Sequence, residues 1–231
     1  MAVIVSVHIA DVGVPRALRL MARRPSAKRV AGLRNTNVGL AAPMSASLLP
    51  RPSLRRAVLV GFWDDEAALD RFVADSPVAA ALAGGWHARL EPLRAHGTWP
   101  GLPVDVPKGR RTDYDGPSVV LTLGRTRLSQ VRRFLKSSSR ASGAVIGAPG
   151  VLWATGFASP PFLATCSLWE STDALSAYAY GAGDRAHPDA IDAGRAKPFH
   201  KQEAFIRFRP VRVEGSLGGV NPLTVGAFPV A

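Results

Sequence analysis

The chain has 231 residues, 47% of them apolar, and a single cysteine, which excludes a disordered chain, an internal disulfide and a Cys-rich metal site. No apolar run approaches the roughly 18 residues of a membrane-spanning helix, and no basic segment precedes the short apolar start MAVIVSVHIAD, so a soluble, cytoplasmic protein is expected. The net charge of +12 favours an anionic partner, but its Lys and Arg are scattered over 16–34, 51–56, 125–140 and 195–212 without interleaved aromatics, so nucleic acid is not expected and a basic surface able to touch a membrane periphery is.

In chain order, Ala2–Ala10 alternates and is rich in β-branched residues, which predicts a strand. Val14–Arg24 carries Leu18, Met21 and Ala22 at helical spacing. A short strand is expected at Asn35–Leu40 and a strong one at Ala57–Trp63. Asp65 then caps a helix through Val73 that turns Ala68, Leu69 and Phe72 to one face, and Trp86–Ala95 closes the set. The Pro/Gly-rich segment Pro100–Gly116 is a linker. Beyond it come a strand at Ser118–Leu123 and a helix at Leu128–Ser138 with Val131, Phe134 and Leu135 inward. Val151–Phe157 and Phe162–Trp169 form a hairpin across Ala158–Pro161, Ser171 caps a helix through Tyr180, and Ala204–Val213 is the last strand before a Gly/Pro-rich tail, Leu217–Ala231.

Both halves read β-α-β-β-α-β, and short matches link them. Trp63, Leu69 and Phe72 fall on Trp169, Leu175 and Tyr178 at an offset of 106. RLEPLRAHG at Arg89–Gly97 matches RFRPVRVEG at Arg207–Gly215 at an offset of 118, and VGLA at Val38–Ala41 faces TGFA at Thr155–Ala158 at 117. The expected fold is α+β: two tandem ferredoxin-like units, 1–99 and 117–215, with a linker 100–116 and a tail 216–231. Their four-stranded sheets are expected to pack face to face as a dimeric-type α/β barrel within one chain, with helices outside, as a monomer or weak homodimer.

The change of offset puts 12 extra residues of the second unit within Gly181–Lys201. That stretch contains His187 and His200. His187 precedes Pro188, which suits a helix start, and Asp184, Asp189 or Asp192 could orient its ring. A metal ligand or an exposed loop residue both fit that setting. His200, just before the last strand, is the second choice, while His8, His87 and His96 read as structural. Cys166 aligns with the inward Val60 and reads as a buried hydrophobe rather than a thiolate ligand. Trp63 and Trp169 read as packing under the following helices. No GxGxxG, P-loop, HExxH or GxSxG stands at a meaningful place.

The second unit resembles the spheroidene monooxygenase family of carotenoid-modifying enzymes. The resemblance rests on VIGAPGVLWATGF at Val145–Phe157, CSLW at Cys166–Trp169, AHPDAIDAGRAKPF at Ala186–Phe199 and EAFIRF at Glu203–Phe208. It covers about 100 residues well and the first unit loosely. The resemblance implies a barrel of the dimeric α/β type, a heme b with His187 as its axial ligand, and O2-dependent hydroxylation of an apolar, carotenoid-like substrate. Arg195, Lys201 or Arg207 would then neutralise a heme propionate. An apolar pocket between sheet and helices would position a C–H bond, O2 or peroxide would bind the open axial side, and an electron-donor protein is required if O2 is the oxidant. The compact connection Pro43–Pro52 is a departure at a place where substrate contacts are expected. A heme dehydratase of the aldoxime dehydratase type and a non-catalytic ligand-binding barrel are the alternatives.

Overall fold

The computed structural model describes residues 3–45, 47, 51–109, 112–180, 197–217 and 221. The elements of the first half are β1 (Ile4–Asp11), α1 (Val14–Ala22), β2 (Leu33–Pro43), β3 (Arg56–Trp63), α2 (Glu66–Asp75), α3 (Pro77–Leu82) and β4 (Trp86–Gly97). Those of the second are β5 (Ser118–Thr126), α4 (Val131–Ile146), β6 (Val151–Ser159), β7 (Phe162–Trp169), α5 (Thr172–Tyr180) and β8 (His200–Gly215). Both capping residues act as their positions predict. Asp65 accepts from the Ala68 amide at 2.8 Å and Ser171 from the Ala174 amide at 3.0 Å. The short helix α3 is absent from the sequence-based expectation, although Ser76 caps it and Pro77 opens it.

All eight strands form one closed antiparallel barrel in the order β1-β3-β2-β6-β7-β5-β8-β4. The strands of residues 4–97 thus lie in the order β4-β1-β3-β2, and those of residues 118–215 in the same order, β8-β5-β7-β6. The expected face-to-face packing of two sheets is not what occurs. The two sheets join edge to edge instead, through β2–β6 and β4–β8. Each four-stranded sheet has two open edges, and pairing them satisfies every edge at once. Gly39 permits the β2–β6 seam, because a Cβ there would stand 2.9 Å from the Ala158 backbone.

The inner face of the barrel is filled. Val5, Val7, Phe62, Trp86, Phe157 and Phe208 belong to one buried cluster. Eight strands enclose about the width that side chains alone can occupy, so this lumen is core and not a channel. The repeat places residues on the same faces in both halves. Val60 and Cys166 both enter the lumen cluster, and burial pushes the Cys166 thiol up to about 12, which suits a buried hydrophobe. Trp63 and Trp169 both face the helices, 4.8 Å from Phe72 and 5.0 Å from Tyr178. One match needs correction. The register equates Asn37 with Thr155, since they pair with Val60 and Cys166 respectively, so the offset there is 118 and not 117. A slip of one residue in a strand exchanges its faces, and VGLA against TGFA is such a slip.

The outer layers differ. Under α1, α2 and α3 sixteen buried apolar residues fill the space between helices and sheet. Under α4 and α5 the corresponding cluster has three among the described residues: Val145, Trp169 and Leu175. In the first half the cross-strand pair His8–His87 helps close the layer. Their Nδ1 atoms lie 2.9 Å apart, and the His8 ring packs edge-on to Phe72 at 6.2 Å. Burial, then His87, then Arg89 push His8 down to about 3, so it is neutral in the folded chain. The unfolded chain takes up a proton on His8 below about pH 6.5 and the folded chain does not until about pH 3. Stability therefore falls as pH drops through that window, with a slope of up to about 1.4 kcal/mol per pH unit from this group. Urea titrations between pH 7 and pH 4 are expected to show a shallower loss in His8→Asn than in the parent protein. Equal slopes would contradict a neutral buried His8.

Candidate functional site

The incompletely filled layer contains a cavity of about 140 Å3 between α4 and the outer face of β5, β6 and β7. Small residues make it: Gly124 and Gly156 on the sheet, and Ser138, Ser139 and Ser142 on α4. Phe134 and Leu135, two of the three expected inward positions of that helix, supply apolar walls with Phe205 of β8. In the first half the positions equivalent to Thr122 and Phe205 carry His8 and His87, and the space is closed. The connection after β2 reaches the same cavity through Met44, Ser45 and Ser47.

His200 stands at its rim, with a side chain 9% exposed. Its Nδ1 lies 2.9 Å from Glu203 Oε2. A carboxylate accepts, so Nδ1 is the donor in this pair, and Nε2 makes no hydrogen bond among the described residues. Bonding to His200 holds the Glu203 carboxyl below its usual range against the opposing effect of burial. The ring is clamped edge-on by Phe134 at 4.9 Å and Phe199 at 6.3 Å. Its far side lies over Gly124, where a Cβ would come within 2.6 Å of Nε2. The approach to the strand is fixed as well. Arg133 stacks over Phe199 at 4.4 Å and donates to the Lys197 carbonyl at 2.7 Å. The result is an imidazole with one nitrogen oriented by a carboxylate and the other available, the arrangement a metal-ligating histidine requires.

The other sequence candidates are distributed differently. His187 and Arg195 lie outside the described residues. Lys201 is exposed and lines, with His200, Thr98 and Arg125, an open groove of about 590 Å3 beside the cavity. Arg207 is buried on the outer face of β8, seven residues beyond His200 and so about 23 Å along an extended strand. One small group does not touch both. Arg207 corresponds to Arg89 in the first half, which pairs with Glu66 at 3.0 Å and Asp70 at 2.6 Å. In the second half the equivalents of those acids are Thr172 and Ser176. Arg207 has only the Ser176 hydroxyl at 3.3 Å among the described side chains, and its Nη1 is buried without a partner. Burial, and behind it the neighbouring Arg94, lowers its pKa.

The cavity escapes the sequence reading, because small residues on four separate segments create it. A run of serines, Ser137–Ser139, on the inward half of a predicted helix is the one local signal. Among the described residues no three His, Cys, Asp or Glu side chains gather, so His200 stands at this cavity as a single imidazole rather than as part of a polydentate site.

No family model matches the chain. It is similar to a spheroidene monooxygenase from Rubrivivax gelatinosus, 34% identical over 171 residues that cover 71% of this chain and 64% of the relative. The chain thus spans a little less than two thirds of that relative's length. A spheroidene monooxygenase from Rhodobacter capsulatus is 29% identical over 181 residues, covering 75% of this chain and 74% of the relative. Matches of 171 and 181 residues exceed either half of the barrel, so the similarity extends beyond the second unit into the first. The structure of an aldoxime dehydratase bound to butyraldoxime superposes with a TM-score of 0.52 at 8% identity, covering 90% of this chain and 79% of that one, which is a likeness of fold.

The fit of the His200 ring over Gly124 is directly testable. Gly124→Ala places a methyl where the imidazole lies and is expected to displace the ring at a cost of about 1–3 kcal/mol. NMR of the His200 ring and a denaturant titration check it. An unshifted ring resonance with unchanged stability would contradict the described packing.

Proposed function

We propose that this chain, a relative of the spheroidene monooxygenases, is a heme-dependent monooxygenase that hydroxylates an extended apolar, carotenoid-like substrate. One observation carries the reading. The half of the barrel that bears the family motifs also has the unfilled layer, and its rim holds a histidine oriented by a carboxylate. The two halves are read as tandem ferredoxin-like units, of which the first has a closed outer layer and the second has become the site.

The donor chemistry fits a heme: His200 Nε2 makes no hydrogen bond among the described residues, although its edge now packs against Gly124, so the ring would have to turn away from that strand to meet an iron. The space fits only with movement. About 140 Å3 is below the roughly 300–1,000 Å3 of small-molecule sites, so α4 has to shift outward. A helix that rests on serines rather than on interlocking apolar side chains moves at lower cost. His200, the second of the two histidines the sequence offers, would hold the iron, with His187 as its competitor. When bound, heme supplies the activation of O2, with electrons from a donor protein.

The chain's own residues do the rest. Glu203 keeps the proton on Nδ1 and so fixes the ring and raises the donor strength of Nε2. Phe134 and Phe199 prevent its rotation. Leu135, Phe205 and Met44 exclude water and favour an apolar chain. Arg207 is too far along β8 to meet a group seated directly on His200, and it serves a propionate only if the macrocycle extends toward α5. The aldoxime dehydratase reading rests on fold likeness alone, whereas the curated relatives carry the oxygenase name.

Hemin titration of the purified protein tests this reading. A Soret band is expected in the parent, to be lost in His200→Ala and kept in His187→Ala. The converse pattern moves the ligand to His187, and a parent protein that takes up no hemin overturns the heme reading.

A further inference from the structure

The net charge is not spread evenly. Between Val12 and Trp63 there are ten Lys and Arg and no Asp or Glu, while the other 19 cations share the chain with all 17 acids. Nearly the whole excess of +12 therefore belongs to one stretch. That stretch contains α1, the turn after it and the approach to β3.

These segments form a continuous surface on the outside of the barrel. α1 buries Ala17 and Leu20 and turns Arg16, Leu18, Arg19, Ala22 and Arg23 outward. Arg24, Lys28 and Arg29 follow in the next turn, all exposed. The approach to β3 brings exposed Arg51, Leu54 and Arg55 to the start of α1, where the Val12 amide donates to the Arg55 carbonyl at 2.9 Å. Two of the cations are paired, Arg34 with Asp64 and Arg55 with Asp11, both acids from outside the stretch. Leu18 and Leu54 are 50% and 52% exposed in the midst of this charge.

We propose that this face docks the protein on a lipid bilayer bearing anionic headgroups, with Leu18 and Leu54 entering the headgroup boundary. Ten cations held together with only two paired acids raise the energy of the free protein, and an anionic surface relieves that repulsion. Exposed leucines among cations suit an interface with an apolar layer beneath the charge. Nucleic acid fits less well. No Phe, Tyr, Trp or His lies between Val12 and Gly61 to stack on a base. Lipid docking also agrees with the site's place, because the connection that carries Arg51 and Leu54 begins at Met44, Ser45 and Ser47 on the cavity wall. No helix among the described residues is long and apolar enough to cross a membrane, so the attachment is to the surface.

The inference stands on charge and exposure, and vesicle binding is scored without turnover, so it and the oxygenase reading can fail separately. The experiment is co-sedimentation with phosphatidylcholine vesicles prepared with and without phosphatidylglycerol. The parent is expected to bind only the anionic vesicles, and less as salt rises. The variant Arg16→Glu/Arg19→Glu/Arg23→Glu is expected to bind about a hundredfold more weakly, from the usual contribution of each cation near such a surface. A control, Lys108→Glu/Arg209→Glu/Arg212→Glu, changes the net charge equally from exposed positions elsewhere and is expected to bind as the parent does. Circular dichroism confirms that both variants fold. Equal loss in the two variants, failure of the parent to bind anionic vesicles, or displacement of vesicles by a short DNA duplex would each overturn the proposal.

Discussion

Closure of the sheet is the constraint on which everything else in this molecule depends. Eight antiparallel strands with no free edge enclose a space that Trp86, Phe62, Phe157 and Phe208 already fill. A ligand therefore has no place inside the barrel. It has to bind on the outer face, between strands and helices, where packing is decided helix by helix. There the two halves part company. The layer under α1, α2 and α3 is closed by sixteen apolar residues and the His8–His87 pair, and the layer under α4 is left open by glycines and serines.

The matching strand order of the two halves makes that difference interpretable. Positions that correspond through the strand register carry the same burial and different chemistry. Arg89 has two carboxylates, whereas Arg207 has hydroxyls at the equivalent places and, among the described residues, no partner for its Nη1. A buried guanidinium with no carboxylate paired directly to it is costly, and the first half shows how the fold ordinarily avoids it. The second half thus departs from local consistency at two places on one face, the cavity and Arg207. Departures of that kind concentrate at functional sites.

Much of the fold was legible because strand alternation and capping are local. The strands at Ala57–Trp63 and Phe162–Trp169 and the caps Asp65 and Ser171 follow from neighbours in sequence. The strand expected at Asn35–Leu40 lies within β2, but the match of VGLA to TGFA is off by one residue, because four similar letters do not fix a face and pairing with Val60 does. Edge-to-edge joining was not legible, since nothing in either half's sequence says which edge meets which. The site was legible only in part. The excess of the second unit singles out Gly181–Lys201, of which residues 197–201, with His200 but not His187, are described. The ranking of the two rested on Pro188, whereas Glu203 and Gly124 act on His200 through a turn and a neighbouring strand.

The most direct measurement of the claim that the open layer under α4 is the site is to fill it. Ser138 and Ser142 face the cavity, and Ser138→Leu/Ser142→Leu would occupy it with apolar side chains. Thermal melting and hemin titration of this double variant are read together. If the layer is an unfilled binding site, the melting temperature rises and hemin uptake is lost. A lower melting temperature with unchanged hemin uptake would contradict it, placing the binding site elsewhere in the molecule.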